Sequence, residues 1–404
     1  MNAQAILLSD SQYSNVATGD IIESMRNLFL CCLPALACLL PVFARGLPQI
    51  DHLSGNSQHN QSIQITGSGF GSHAGFGGQS HAIGTHLASV WKDMEDCLLS
   101  SDGLAPMYYE NQWSVQQSGG KANSACHARK TFIEDRRGPL GRNMNYWTGE
   151  VFTSFYFKVP DQWCGSKFFR IWGESTNIYL ASGCEDYMIR GAPEYCECSP
   201  APGTQWASPQ SLQAEEWQRV DVYLRDSPGN HEFTVWLDNR LQCTKRADCS
   251  GVPNCEAEQW VENPFGGLGH SIDYGHMICD NTSTYAGCQF GSSTSPAADR
   301  YYEFDDIYLT YTRAHIELCD RGSWTEVSAG GADCEIQIPL SWSDASINFT
   351  VNHGRFSAGS RVYLFVVNSS GEVNSLGYEL QLGSQPVDTL APGAPGALRI
   401  TDAP

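Results

Sequence analysis

Ser62-Ile-Gln-Ile-Thr-Gly-Ser-Gly-Phe-Gly71 and Ile336-Gln-Ile-Pro-Leu-Ser-Trp-Ser-Asp-Ala-Ser-Ile-Asn-Phe-Thr-Val351 decide how this chain is read. The first alternates apolar and polar residues over Ile63 and Ile65, then meets Gly67, Gly69 and Gly71. It reads as a strand ending in a Gly-rich turn. The second, with Arg361-Val-Tyr-Leu-Phe-Val-Val367 after it, carries the same period of two. More than two hundred residues separate the two stretches. The three glycines are not a phosphate loop, because no Gly-Lys-Ser/Thr and no helix follows them.

Working outward, 404 residues are enough for two domains and a sizeable core. Only 17% of residues are charged, 39 are Gly, and 11% are aromatic. With alternating apolar runs between turn residues, that profile predicts an all-β protein. Residues 25–44 place Arg26 before an apolar run that closes in Val42-Phe43-Ala44, the pattern of a secretory signal peptide. Pro34 and Pro41 interrupt the run, and it is shorter than the ~20 residues a membrane span needs. No later segment is long and apolar enough to span a bilayer, so no membrane insertion is expected once the signal is cleaved.

Three of the 16 cysteines fall in that segment, and ten of the other thirteen cluster at short spacings. Such clusters predict disulfide staples in an oxidising compartment, with Cys319–Cys334 and Cys279–Cys288 as the local pairs. A zinc site is disfavoured, since Cys196-Glu-Cys198 has no Cys-x-x-Cys partner or His at ligand spacing. The formal charge is −20; residues 1–44 carry three acids against one Arg, which leaves −18. A field of that sign argues against nucleic acid as a partner. Four Asn-x-Ser/Thr sequons, at Asn60, Asn281, Asn348 and Asn368, would stay bare in a bacterial exported protein.

The two opening stretches together resemble one small immunoglobulin-like sandwich of the IPT/TIG family, cut open. The resemblance covers about 48–80 and 315–383 and makes a bacterial source the expectation. It implies that the residues between are a second domain inserted into a loop of the first. Within the insert, Ser154-Phe-Tyr-Phe-Lys-Val-Pro-Asp-Gln-Trp163, Lys167-Phe-Phe-Arg-Ile-Trp-Gly173, Glu216-Trp-Gln-Arg-Val-Asp-Val-Tyr-Leu-Arg225 and Phe304-Asp-Asp-Ile-Tyr-Leu309 follow one another. That succession resembles the concanavalin A-like lectin/glucanase jelly rolls, in particular those of some polysaccharide lyases, over about half the chain. The expected plan is a signal region 1–44, a first sandwich part 45–85 opening on a polar lead-in over 45–61, a jelly roll 86–314, a second sandwich part 315–383, and a Pro/Gly-rich tail 384–404.

Alternation sorts the insert's side chains. Val220, Val222 and Leu224 form one face of their strand, and Arg219, Asp221, Tyr223 and Arg225 the other. Trp236, Tyr308, Arg170 and Trp172 occupy comparable positions on theirs. Aromatic rings stack on the apolar face of a sugar while Asp and Arg grip its hydroxyls. Arg170, Trp172, Asp221, Tyr223, Arg225, Trp236 and Tyr308 are therefore the candidate glycan-binding residues. The paired carboxylates of a retaining glycosidase are absent: Glu215-Glu216 and Asp305-Asp306 are adjacent, so their side chains diverge on a strand. A lyase would need a Tyr or His base beside an Arg, for which Tyr223, His127 and His231 with Arg170 are the candidates. The fold resemblance implies a structural Ca²⁺, with Glu303, Asp305 and Asp306 as candidate ligands.

These observations predict an exported polysaccharide-binding protein, secreted or at the cell surface. A polysaccharide lyase is the alternative, and a structural surface or matrix protein the third possibility.

Overall fold

In a computed structural model the described residues are 46–73, 90–99, 104–106, 113–121, 124–131, 140–144, 150–160, 167–172, 177–182, 188–193, 206–225, 232–246, 255–257, 270–274 and 301–383. Residues 1–45, His231, Cys279, Cys288 and residues 384–404 lie outside them.

The two opening stretches pair directly. Strand Ser62–Ser68 runs antiparallel to Ser346–Thr350, with Ile63 opposite Phe349 and Ile65 opposite Ile347. Several hydrogen bonds stitch the turn that follows. Gly67 N–H donates to the Ala345 carbonyl, Gly71 N–H to the Asp344 carboxylate, and the Trp342 indole to the Phe70 carbonyl. The glycines are structural here. A Cβ at Gly67 would sit 1.9 Å from the Gln49 carbonyl oxygen, and Gly69 has φ 72°.

The full strand order of this unit is Gln49–Gly55, Ser62–Ser68, Ser346–Thr350, Cys334–Trp342, His315–Cys319, Arg361–Val367, Tyr378–Gln381. Its two ends fold over a common core, in which Ile63, Ile65, Ile347 and Phe349 meet Ile316, Leu318, Leu364 and Val366. Strand Gln49–Gly55 lies in what the sequence presents as a polar lead-in. Leu53 is its one buried residue, so its alternation is too thin to see. Helix Trp324–Ser328 is likewise invisible as a period; Ser323 caps it by accepting from Glu326 N–H.

Between Ser68 and His315 the chain builds a second sandwich. Its nine-stranded sheet orders Cys255–Ala257, Arg240–Arg246, Glu232–Leu237, Gln218–Arg225, Glu150–Lys158, Tyr301–Thr310, His127–Thr131 and Trp113–Gln116, with Val90–Lys92 also on Tyr301–Thr310. Its other sheet orders Trp206–Ser211, Met188–Pro193, Asn177–Ser182, Lys167–Trp172, His270–Tyr274, Leu140–Met144 and Ala105–Pro106. We call it the Arg170 sheet. The architecture is therefore all-β: a jelly-roll-type sandwich inserted in a discontinuous immunoglobulin-like sandwich.

Aromatic rings fill the space between the insert's two sheets. Phe155 lies 5.4–6.4 Å, centroid to centroid, from Phe168, Phe169, Tyr274 and Phe304. Phe155→Ala should cost about 3–5 kcal/mol through lost transfer energy and a cavity that rigid rings cannot close. A denaturant midpoint unchanged from wild type would refute that packing.

Two disulfides are described. Cys319–Cys334 joins facing residues of neighbouring strands, as the spacing predicts. Cys97–Cys126, across 29 residues, went unread because neither residue belongs to a cysteine cluster. Among the described residues no helix is long and apolar enough to cross a membrane.

Candidate functional site

The alternation read from Gln218–Arg225 is correct about the core: Val220, Val222 and Leu224 are fully buried between the sheets of the insert. The opposite face is buried too. The immunoglobulin-like sandwich packs on it, and Phe152, Tyr223 and Tyr308 form an apolar cluster with Ile336 of that second unit. Trp91 and Trp236 flank this cluster.

Charged groups complete the seam. The Arg219 guanidinium donates to Asp221 at 2.8 Å, to the Ser154 hydroxyl at 3.0 Å and to Glu317 of the other sandwich at 2.6 Å. Glu317 also meets His315 Nε2 at 2.9 Å, and the His315 ring stacks on Phe152 at 4.3 Å. Burial pushes the Glu317 carboxyl up, but the Arg219 charge and His315 outweigh it and hold it at about 2. Nearby, Lys121 forms ion pairs with Asp306 and Glu335 and lies 3.9 Å over the Tyr156 ring. Tyr156 donates to the Cys334 carbonyl at 2.9 Å. Arg313 donates to Glu232 at 3.1 Å and covers the rings of Tyr223 and Trp236 at 4.9 and 5.5 Å.

The candidate glycan-binding residues therefore separate into two groups. Asp221, Tyr223 and Tyr308 are buried in the seam, and a polysaccharide reaches them only if the sandwiches part. Arg225 is ion-paired to Glu232 at 3.1 Å. Trp236 is half-buried and lines a cleft of about 110 Å³ with Asp221, Arg313 and Trp324. Arg170 and Trp172 belong to the other sheet, so Tyr223 and Arg170 sit on opposite sides of the insert. They do not form a base–clamp pair. His127 is buried against Glu303, 2.8 Å from its carboxylate.

Backbone register assembles the second group. Tyr179, Arg170, Asp273 and Gly141 stand opposite one another across four strands, and Asn177, Trp172, Ser271 and Asn143 form the next row but one. Phe168, Phe169 and Ile171 are in the core; alternation from Phe169 and Ile171 assigns positions 170 and 172 to the opposite face, where Arg170 is itself buried. Elements of the second sandwich that touch the insert, including Glu317, Ile336 and Glu335, meet the nine-stranded sheet.

The candidate calcium ligands do not fit a cation. Glu303 is held by His127, Arg129 and Lys158, which overcome the upward push of burial and keep it at about 2. Asp306 is paired to Lys121, and Asp305 accepts the Lys121 backbone N–H at 3.2 Å. Positive groups already supply the countercharge that a Ca²⁺ would bring. Among the described residues one group of potential ligands converges, Glu317 with Cys319 and Cys334, but the two sulfurs are joined and Glu317 belongs to Arg219.

No protein-family model matches this chain, and no curated protein does. Solved structures do resemble it over about half its length. The endo-1,3-β-glucanase of Streptomyces sioyaensis matches with TM-score 0.33 and 8% identity, covering 52% of this chain and 96% of its own. A GH131 β-glucanase catalytic domain of Podospora anserina matches with 0.30 and 14%, covering 55% and 90%. The carbohydrate-binding module CBM66 of Bacillus subtilis matches with 0.25 and 7%, covering 49% and 95%. No residue role transfers at these identities.

Proposed function

We propose that the chain is an exported glycan-binding protein whose polysaccharide site is the outer face of the Arg170 sheet. The observation that carries this reading is the register of that sheet. Tyr179, Arg170 and Asp273 share one row, with Trp172 and Asn177 facing each other in another on the same side. A backbone register that brings Trp, Tyr, Arg, Asp and Asn positions into neighbouring rows offers the residue types that ring stacking and hydroxyl forks require. The immunoglobulin-like unit, read as an IPT/TIG-like frame, braces the sandwich from the nine-stranded side and leaves its chemistry to the far sheet.

The test is retention on immobilised alginate, glucuronan and neutral glucans, with absorbance of unsaturated uronate followed in parallel. Retention without product is expected. Arg170→Ala and Trp172→Ala should each weaken it at least tenfold, about 1.4 kcal/mol, and Tyr223→Phe should leave it unchanged. Retention that survives both substitutions would place the site elsewhere, and a rise in absorbance would make the protein a lyase.

A further inference from the structure

A cleft lies along the seam and has no part in the Arg170 face. Its volume is about 460 Å³, within the ~300–1,000 Å³ of small-molecule sites. Five separate segments build it, with Lys121 and Ser124 coming from the loop between Trp113–Gln116 and His127–Thr131. Asp93 and Glu95 come from the loop after Val90–Lys92, Asp306 from an irregularity in Tyr301–Thr310, His59 from the turn before Ser62–Ser68, and His353 and Phe356 from the loop after Ser346–Thr350.

Each group has a defined hydrogen-bonding role. His59 Nδ1 accepts the His353 backbone N–H at 3.2 Å, which leaves the ring proton on Nε2 as a donor. His353 Nε2 sits 2.8 Å from the Ser57 carbonyl and so carries its proton there, leaving Nδ1 as an acceptor. The two rings lie 5.5 Å apart. Phe356 is half-buried and presents the remainder of its ring to the cleft. Lys121 is the one cation of the lining, and its charge is divided between Asp306 and Glu335. Asp93 and Glu95 are solvent-facing carboxylates whose described contacts are backbone N–H groups. The lining is therefore net negative, with a donor and an acceptor imidazole and an apolar ring beside the charge.

We propose that this cleft binds a protonated amino-sugar unit of a glycan. The ammonium would meet Asp93 and Glu95, the hydroxyls would meet His59 and His353, and the apolar ring face would lie on Phe356. A uronate is repelled by the same carboxylates. An N-acetylated sugar offers no charge and leaves them without a cation. The inference rests on the glycan-binding reading and narrows its substrate class, adding a second site that bridges the two sandwiches.

The experiment is calorimetric titration of the full chain with glucosamine oligomers, N-acetylglucosamine oligomers of equal length, and neutral glucose oligomers. Glucosamine oligomers should bind at least tenfold more tightly than the acetylated ones. Asp93→Asn combined with Glu95→Gln should abolish that preference, and the double variant should keep wild-type retention on whichever neutral glucan the Arg170 face holds. Both residues are at the surface, so the fold is expected to tolerate the change. Equal affinity for free and acetylated amines would overturn the proposal. So would a preference that persists in the double variant. Stoichiometric Ca²⁺ uptake lost in that variant, without amine selectivity, would show a cation site instead. If no glycan binds at any surface, the glycan-binding reading fails along with this one; if glycans bind but no amine preference appears, this inference fails alone.

Discussion

Arg219→Met should destabilise the protein by about 3–5 kcal/mol, the cost of stranding buried carboxylates. Arg219 is almost wholly buried, and its guanidinium is the one group that joins Asp221 of the insert to Glu317 of the other sandwich. Methionine fills much of the space but supplies no charge or donor. Asp221 and Glu317 would then face each other's charge without their cation, and His315 alone would remain against Glu317. A control separates this from simple loss of packing. Replacing Arg219, Asp221 and Glu317 together by Met, Leu and Leu should cost less than Arg219→Met alone, because desolvation is then no longer left uncompensated. Guanidinium unfolding midpoints with their slopes give both values. A single variant within 1 kcal/mol of wild type would mean that the sandwiches are not locked through this residue.

Acid should unfold the protein steeply below about pH 4.5. Glu317 and Glu303 titrate at about 2 in the folded chain, against an ordinary value of 4.5. Their folded pKa values are depressed, so the unfolded chain takes up protons first as pH falls. The stability they contribute is fully present above 4.5 and is lost progressively down to about 2. For the fully buried Glu317 this is of order 3 kcal/mol. At higher pH other groups pull in opposite directions. Asp306 is raised to about 6 by burial against the pull of Lys121, so it favours the folded state as pH falls from 6 towards 4. His73 is lowered to about 3 by burial and by His315, so over 6.5 to 3 it favours the unfolded state. Burial also raises Asp305, Glu150, Asp238 and Asp320, which act with Asp306, and lowers His59, which acts with His73. Urea midpoints from pH 7 to 2.5 test the acid transition, and Glu317→Gln should flatten the acid limb by about one proton. An unchanged limb in that variant would assign the transition to other groups.

Which parts were legible follows from the range of the interactions involved. Alternation in Gln218–Arg225 placed Val220, Val222 and Leu224 in the core, because inward packing within one sandwich leaves a period of two. Gly67 and Gly69 marked the turn, since only glycine tolerates the close approach to Gln49 and the positive φ. Cys319–Cys334 was legible from a 15-residue spacing. The other faces were harder. A strand face of Arg, Asp and Tyr looks the same in sequence whether it meets water, a sugar or another domain. The Arg219–Glu317 contact spans 98 residues, and no local period encodes it. The edge strand Gln49–Gly55 buries too little to show an alternation, and the His59–Asp93–Asp306–His353 cleft gathers residues that no spacing links.

The family resemblance implied the joining of two distant stretches into one β unit; by itself the sequence determined the core-facing residues of its periodic strands and the glycine turns. These depend on side-chain period and on backbone sterics, which act within a few residues. Only the tertiary structure decided which sheet face is dry. Tyr223, Tyr308 and Arg219 have the composition of a sugar-binding surface, yet they lie beneath a second sandwich because Ile336 supplies an apolar contact and Glu317 a countercharge from strands of that other unit. Burial is a property of what packs against a residue, and that partner is fixed by the fold as a whole.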